Sequence, residues 1–341
     1  KKYEKLSKCP TTNKTNWQPI MSRINIQGTI DNIRSKSNIY TPIIEAIVNS
    51  IQSIVLKKIE NGKIEIILHR EKVLEIDNSI PSVKTIEIRD NGIGFTQENR
   101  DSFDTFYSEY KKSIGGKGFG RFMYVKYFNN VYVNSVFKDS NATLNSRYFR
   151  FGREYEIIVD EKVELSKAVD TYSSVTLENI KSGQNFDKQI ETIARRILDK
   201  ILIYFINDTF TPPTIILKEA EGNHSIVLND FLTEINEIKL WKSKDFVLED
   251  DKQQKFDFVA KVFKIYYPGN QKSKVSLAGH NREVTDTPLH KYIPEFEDEF
   301  FEEDENKVKR NYIIKTYILG DYLDNNVSLE RETFDFPKDT K

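Results

Sequence analysis

Cysteine is nearly absent. The single Cys9 in 341 residues excludes a disulfide within the chain, and four scattered histidines give no zinc-binding spacing. A reducing, cytoplasmic setting is the expectation. No apolar run approaches the length a membrane span requires. An excess of one charge is also missing: 51 Lys and Arg against 52 Asp and Glu leave a net charge of −1. No global basic field therefore points to nucleic acid, although a local patch stays open. Neither an internal repeat nor a secretory pattern is present, and the chain, which starts without Met at Lys1, is expected to be a piece of a longer protein. What is there, 38% hydrophobic and 30% charged residues, has the composition of a globular protein long enough for two domains.

From Thr41 to Val55 the residues Ile43, Ile44, Ile47, Val48, Ile51 and Val55 recur at helical spacing, with Pro42 suited to a first turn and Thr41 placed to cap it. Glu45 and Asn49 stand four apart on one stripe beside the apolar one. They are either a polar helix edge or a pair of functional groups. In the segment 84–95, Ile86 and Ile88 alternate with Glu87 and Arg89 as in a half-buried strand, and Asp90-Asn91-Gly92-Ile93-Gly94 breaks it. That break suits either a hairpin turn or a backbone that must approach a ligand closely.

A glycine cluster, Gly115, Gly116, Lys117, Gly118, Phe119 and Gly120, runs into an amphipathic segment with Phe122, Met123, Val125 and Phe128, predicted to be a helix. Glycines ahead of a helix leave its first N–H groups free to face an anion, as a phosphate cradle requires. A flexible loop would read the same way. It is not a Walker A loop, because no Gly-Lys is followed by Ser or Thr, nor does it follow a first strand as a dinucleotide fingerprint would.

Glu-x-x-x-Asn on a helix, Asp-x-Gly-x-Gly after a strand and Gly-x-Gly-x-Gly before a helix, in that order, resemble the GHKL ATPases, the superfamily of DNA gyrase, the heat-shock chaperone, sensor histidine kinases and MutL. The resemblance spans roughly 39–179. It implies the Bergerat α/β sandwich, ATP with Mg²⁺, and roles for particular residues. Glu45 would be the general base, Asn49 the metal ligand and Asp90 the acceptor of the adenine amino group, with Gly92 and Gly94 letting backbone pass beneath the base. Gly116, Gly118 and Gly120, with Phe119, would form the lid, and Lys117 or Arg121 would add charge at the phosphates. The family's hydroxyl on a later strand falls on Ser173, with Thr171 as competitor, since Tyr172 stands where the family has glycine.

The expected organisation is α+β: an N-terminal arm at 1–38, an ATP-binding domain at 39–183 with helices on one face of a mixed sheet, and a second α/β domain at 184–341, similar to the family's transducer domain. Strands are predicted at 64–69, 85–89, 131–137, 148–151, 155–159, 214–218, 258–266 and 312–319, and an amphipathic helix at 186–208. Segment 275–284 reads as one strand preceded by Lys272 and Lys274. Asn326-Val-Ser and Arg331 are similar to the chaperone's catalytic loop, with two extra residues, Leu329 and Glu330, between them. That implies a phosphate-directed Arg331, with Lys272 and Lys274 as secondary candidates; a surface arginine paired with Glu330 or Glu332 is the other reading. The acidic run 295–305 reads as solvated surface.

The function this implies is Mg²⁺-dependent ATP hydrolysis that drives lid closure, domain docking or homodimerisation. The chain would then be the ATPase module of a larger bacterial protein, with antiphage defence one setting, no membrane contact, and any partner protein or nucleic acid reached through distal regions. The alternative is a nucleotide-sensing regulatory module with negligible turnover in a defence or DNA-repair assembly. No His precedes Asn49, which disfavours a histidine kinase.

Overall fold

Ile26 and Ile30 lie four apart on one helical face and are both buried, so α1 (Ile26–Asp31) belongs to the core. The expected polar arm at 1–38 is corrected to that extent. The computed structural model describes residues 25–31, 37–72, 80–104, 120–206, 211–303, 307–328 and 333–336, the side chains of Thr29 and Asp31 excepted.

Ile43, Ile47, Ile51 and Ile54 form the buried stripe of α2 (Tyr40–Lys57), and Lys58 ends the helix in the left-handed region with φ 56°. The start differs from expectation. Thr41 does not cap the helix: Asn38 Oδ1 accepts from the Tyr40 N–H at 2.9 Å, while Thr41 Oγ1 accepts from Asn38 N–H at 3.1 Å. Pro42 keeps its place in the first turn, where a missing N–H costs nothing.

Strands β1 (Lys63–Arg70) and β2 (Val83–Asp90) pair antiparallel, with Ile64 opposite Asp90. Short helices α3 (Gln97–Asp104) and α4 (Phe122–Tyr127) follow. The predicted helix through Phe128 stops one residue earlier, because Phe128 opens β3 (Phe128–Lys138). β4 (Leu144–Phe151), β5 (Ile158–Leu165) and β6 (Tyr172–Ile180) complete the antiparallel part. β5 lies later than the predicted 155–159 because it is an edge strand, exposed from Asp160 on, without an apolar alternation to mark it.

Helix α5 (Ile190–Ile206) leads to β7 (Thr214–Glu219), which pairs parallel with β1, and then to β8 (Ser225–Val227). The first sheet therefore has the order β5-β4-β3-β6-β2-β1-β7-β8. This corrects the expected boundary at Gly183: a parallel neighbour for β1 needs a crossover, and α5 supplies it, so the sheet takes residues up to Val227. Helices cover one face. The other carries Glu65 with Lys218 and Glu87 with Arg89, as a solvated face should.

The second sheet is built from β9 (Ile238–Glu249), β10 (Lys255–Ile265), β11 (Lys274–Gly279), β12 (Arg282–Pro288), β13 (Phe300–Glu303) and β14 (Lys309–Leu319), in the order β12-β11-β14-β10-β9 with β13 also on β14. The predicted single strand at 275–284 is split into β11 and β12. His280 and Asn281, with φ 49° and 60°, make a two-residue turn of the kind that requires positive φ at both positions. A last helix, α6 (Asp321–Asn325), packs beneath it, and Asp324 Oδ1 accepts from the His280 N–H at 2.6 Å.

Helix α5 is bonded to two strands of the second sheet. Its Asp199 carboxylate lies 2.7 Å from Lys315 Nζ of β14, and its last carbonyl, Ile206 O, accepts from Lys261 Nζ of β10 at 2.6 Å.

Candidate functional site

Asp90 ends β2 and is 5% exposed. Ser50 Oγ of α2 donates to its Oδ2 at 2.9 Å, and the Gly92 N–H donates to its Oδ1 at 2.9 Å. These bonds hold the carboxylate in one orientation. Thr171 Oγ1 donates to Gly92 O at 2.6 Å and so holds the turn beneath Asp90, whereas Ser173 sits in β6 directly opposite Asp90. Of the two predicted hydroxyls, Thr171 is the one bonded to the Asp90 turn; both are buried.

Glycine is required at 92 and 94 by protein neighbours. A Cβ on Gly92 would lie 2.2 Å from Ser53 Oγ of α2, and one on Gly94, where φ is +81°, would lie 2.1 Å from Val136 O of β3. This packing fixes the course of the turn, whatever lies above it.

One turn of α2 brings Glu45 and Asn49 onto the same side, as their spacing predicts. Asn49 Nδ2 donates to the Tyr124 hydroxyl of α4 at 3.3 Å, which turns the amide so that Oδ1 faces away from Tyr124. The Tyr124 hydroxyl is pushed well above the usual tyrosine range, first by burial and then by the charge of Glu45. Gly120 closes the other side, since a Cβ there would lie 2.1 Å from Glu45 Oε2.

The partner of Glu45 comes from the second sheet. Arg282 Nη1, at the first position of β12, donates to Glu45 Oε1, and Nη2 lies 3.3 Å from Oε2. Tyr204 of α5 hydrogen-bonds the same guanidinium. Burial alone would lower the Arg282 pKa, but Glu45 and Tyr204 outweigh it and the net shift is upward. Arg282 was not among the sequence-derived candidates. The signal was the Gly-His-Asn turn just before it, which puts a charged residue at a hairpin tip, but nothing in the sequence says what that tip meets.

The other predicted cations are engaged elsewhere. Arg121 is buried, with Nη1 donating to Ser102 O at 3.0 Å and its guanidinium 5.4 Å from the Phe103 ring, and burial lowers its pKa to about 10. Lys272 Nζ donates to Glu297, and Lys274 Nζ lies 2.8 Å from both Glu283 and Asp286. Gly116, Lys117, Gly118, Phe119 and Arg331 lie outside the described residues.

Among the described residues no group of three or more His, Cys, Asp or Glu side chains could hold a metal ion. The donor set at Asn49, one carboxamide oxygen beside one carboxylate, suits a hard cation that arrives with its own phosphate and water ligands. A cleft of about 900 Å³ between α5 and the second sheet, lined by Tyr40, Arg196, Asp199 and Tyr267 among others, includes none of Glu45, Asn49 or Asp90.

Residues 36–136 match the family model for the histidine kinase-, DNA gyrase B-, and HSP90-like ATPases. No curated protein matches the chain by sequence. Similar solved structures include the N-terminal domain of a DNA repair protein, 11% identical over 86% of both chains with a TM-score of 0.46. A second is the ATPase region of Saccharomyces cerevisiae topoisomerase II bound to dexrazoxane, 16% identical over 86% of this chain and 77% of that one, TM-score 0.43. A third is the ATPase domain of Thermus thermophilus gyrase B in complex with an aminocoumarin, 10% identical over 82% and 75%, TM-score 0.39. No helix among the described residues is long and apolar enough to cross a membrane.

Proposed function

We propose that the chain, whose residues 36–136 match the family model of the histidine kinase-, DNA gyrase B-, and HSP90-like ATPases, is a Mg²⁺-dependent ATPase of the GHKL superfamily whose hydrolytic centre is Glu45 and Asn49. The observation that carries this reading is their shared turn of α2, bounded by Gly120 and followed directly by Ser50, the residue that bonds Asp90. Asp90, oriented by Ser50 and the Gly92 N–H, would accept from an exocyclic amine, and Thr171 braces the turn that presents it. Asn49, oriented by Tyr124, offers Oδ1 to a cation. Mg²⁺ bound with the triphosphate would neutralise charge on the phosphate oxygens. Glu45 takes the proton of the attacking water, and its place against Gly120 puts it at the end of the glycine loop.

Two variants test the assignment. Glu45→Ala should bind ATP within a few-fold of the parent, by calorimetry, while steady-state phosphate release falls by about 100-fold or more. Asp90→Asn should weaken binding by roughly 10-fold or more, the range for losing a charged hydrogen bond. Wild-type turnover in Glu45→Ala sinks the catalytic assignment.

A second reading, a nucleotide-sensing module with negligible turnover, is favoured by the same ion pair, since a guanidinium on Glu45 competes with a water for the carboxylate. Phosphate release by the unaltered chain separates the two. Closure into a homodimer on ATP binding is part of the first reading, and sedimentation with and without a non-hydrolysable ATP analogue checks it.

A further inference from the structure

We propose that Arg282 is a positioning residue: it anchors Oε1 of Glu45 so that Oε2 is the oxygen that receives the water proton, and it makes that orientation depend on docking of the second sheet. This rests on the reading of Glu45 as general base. The two contacts of the fork are unequal, with Nη1 closely bonded to Oε1 and Nη2 at 3.3 Å from Oε2. Oε2 is also the oxygen nearest Gly120, the described end of the glycine loop. Gly120 on one side and Arg282 on the other confine the carboxylate, and a planar guanidinium fixes a carboxylate's direction where an ammonium would fix only its charge.

The geometry that delivers Arg282 is itself fixed. Gly279, opposite Arg282 across the hairpin, has no room for a Cβ, which would fall 2.2 Å from Val327 Cγ2. Asp324 holds the His280 N–H, and Tyr204 of α5 holds the guanidinium. The tip of β11 and β12 is thus a rigid finger that enters the first domain at one carboxylate. A surface ion pair would have no such support, and both members here are only 17% exposed.

The test uses the full chain with Arg282→Ala, Arg282→Lys and Glu45→Ala. Three readouts apply: calorimetric affinity for a non-hydrolysable ATP analogue with Mg²⁺, steady-state kcat for ATP, and hydrogen exchange without nucleotide at 44–50 and 279–283. Arg282→Ala should keep affinity within about 3-fold while kcat drops by about 10-fold or more, because orientation of a catalytic group acts on the chemical step. Arg282→Lys, which keeps the charge and loses the fork, should retain thermal stability and still lose most of the kcat. Exchange at 279–283 should rise in Glu45→Ala, and exchange at 44–50 should rise in Arg282→Ala. An Arg282→Lys chain with unchanged kcat overturns the proposal, and so does a rise in kcat in Arg282→Ala, which would mean the pair holds Glu45 idle. Unchanged exchange at 279–283 in Glu45→Ala overturns it even if the unaltered chain does not turn over ATP. Failure of the general-base reading shows separately, as parental kcat in Glu45→Ala.

Discussion

At the scale of single residues, Asp90 and Gly94 show two ways a motif residue is constrained. Asp90 is defined by what it accepts: the Ser50 hydroxyl and the Gly92 N–H hold its carboxylate in one orientation. Ser50→Ala removes one of these bonds at a buried carboxylate, and ATP affinity should fall by roughly 5- to 10-fold, about 1 kcal/mol, in a calorimetric titration. Gly94 is defined by what is too close, a Val136 carbonyl 2.1 Å from any Cβ, at φ +81°. Gly94→Ala should therefore cost more than about 2 kcal/mol in urea unfolding, irrespective of nucleotide.

At the scale of elements, α5 decides how the two sheets meet. Lys315 of β14 is 1% exposed and lies between Asp199 of α5 and Glu283 of β12, at 2.7 and 3.4 Å. Burial alone would lower its pKa, yet the two carboxylates raise it. Lys315→Met leaves Asp199 and Glu283 with one cation fewer in a buried place, and the expected loss is about 3–5 kcal/mol in denaturant unfolding. Replacing Lys261, which caps the Ile206 carbonyl, removes a bond to a helix end, and about 1 kcal/mol is expected. A cost for Lys315→Met below that for Lys261→Met would show that the charge cluster does not join α5 to the second sheet.

At the scale of the whole molecule, the same cluster sets a response to acid. Burial opposes the charge on Glu283, but Lys315 and then Lys274 hold its pKa down to about 2 from the ordinary 4.5. A carboxylate with a depressed folded pKa adds stability that is complete above its unfolded value and is lost as the pH falls through the folded one. The window is therefore between 4.5 and about 2. Unfolding free energy should decline through that range, and Glu283→Gln should be less stable at neutral pH with a shallower acid slope, measured by urea titrations at several pH values. Saturating ATP should act in the opposite sense: at 100 times Kd it adds about 2.7 kcal/mol at any pH where binding holds.

The sequence by itself determined α2, β2 and the turn that follows, and with them the positions of Glu45, Asn49 and Asp90, because these depend on short-range rules: a 3.6-residue period for α2, a two-residue period for β2, and glycines where the turn leaves no space for a Cβ. It did not mark β5, whose exposed edge carries no alternation, or the end of the first sheet, which depends on β7 returning to lie parallel with β1. The role of Arg282 was decided only by tertiary structure. Its 237-residue separation from Glu45 is bridged by a hairpin tip, a helix and two sheets, and no local pattern encodes that two opposite charges so far apart in the chain will meet in a half-buried pair.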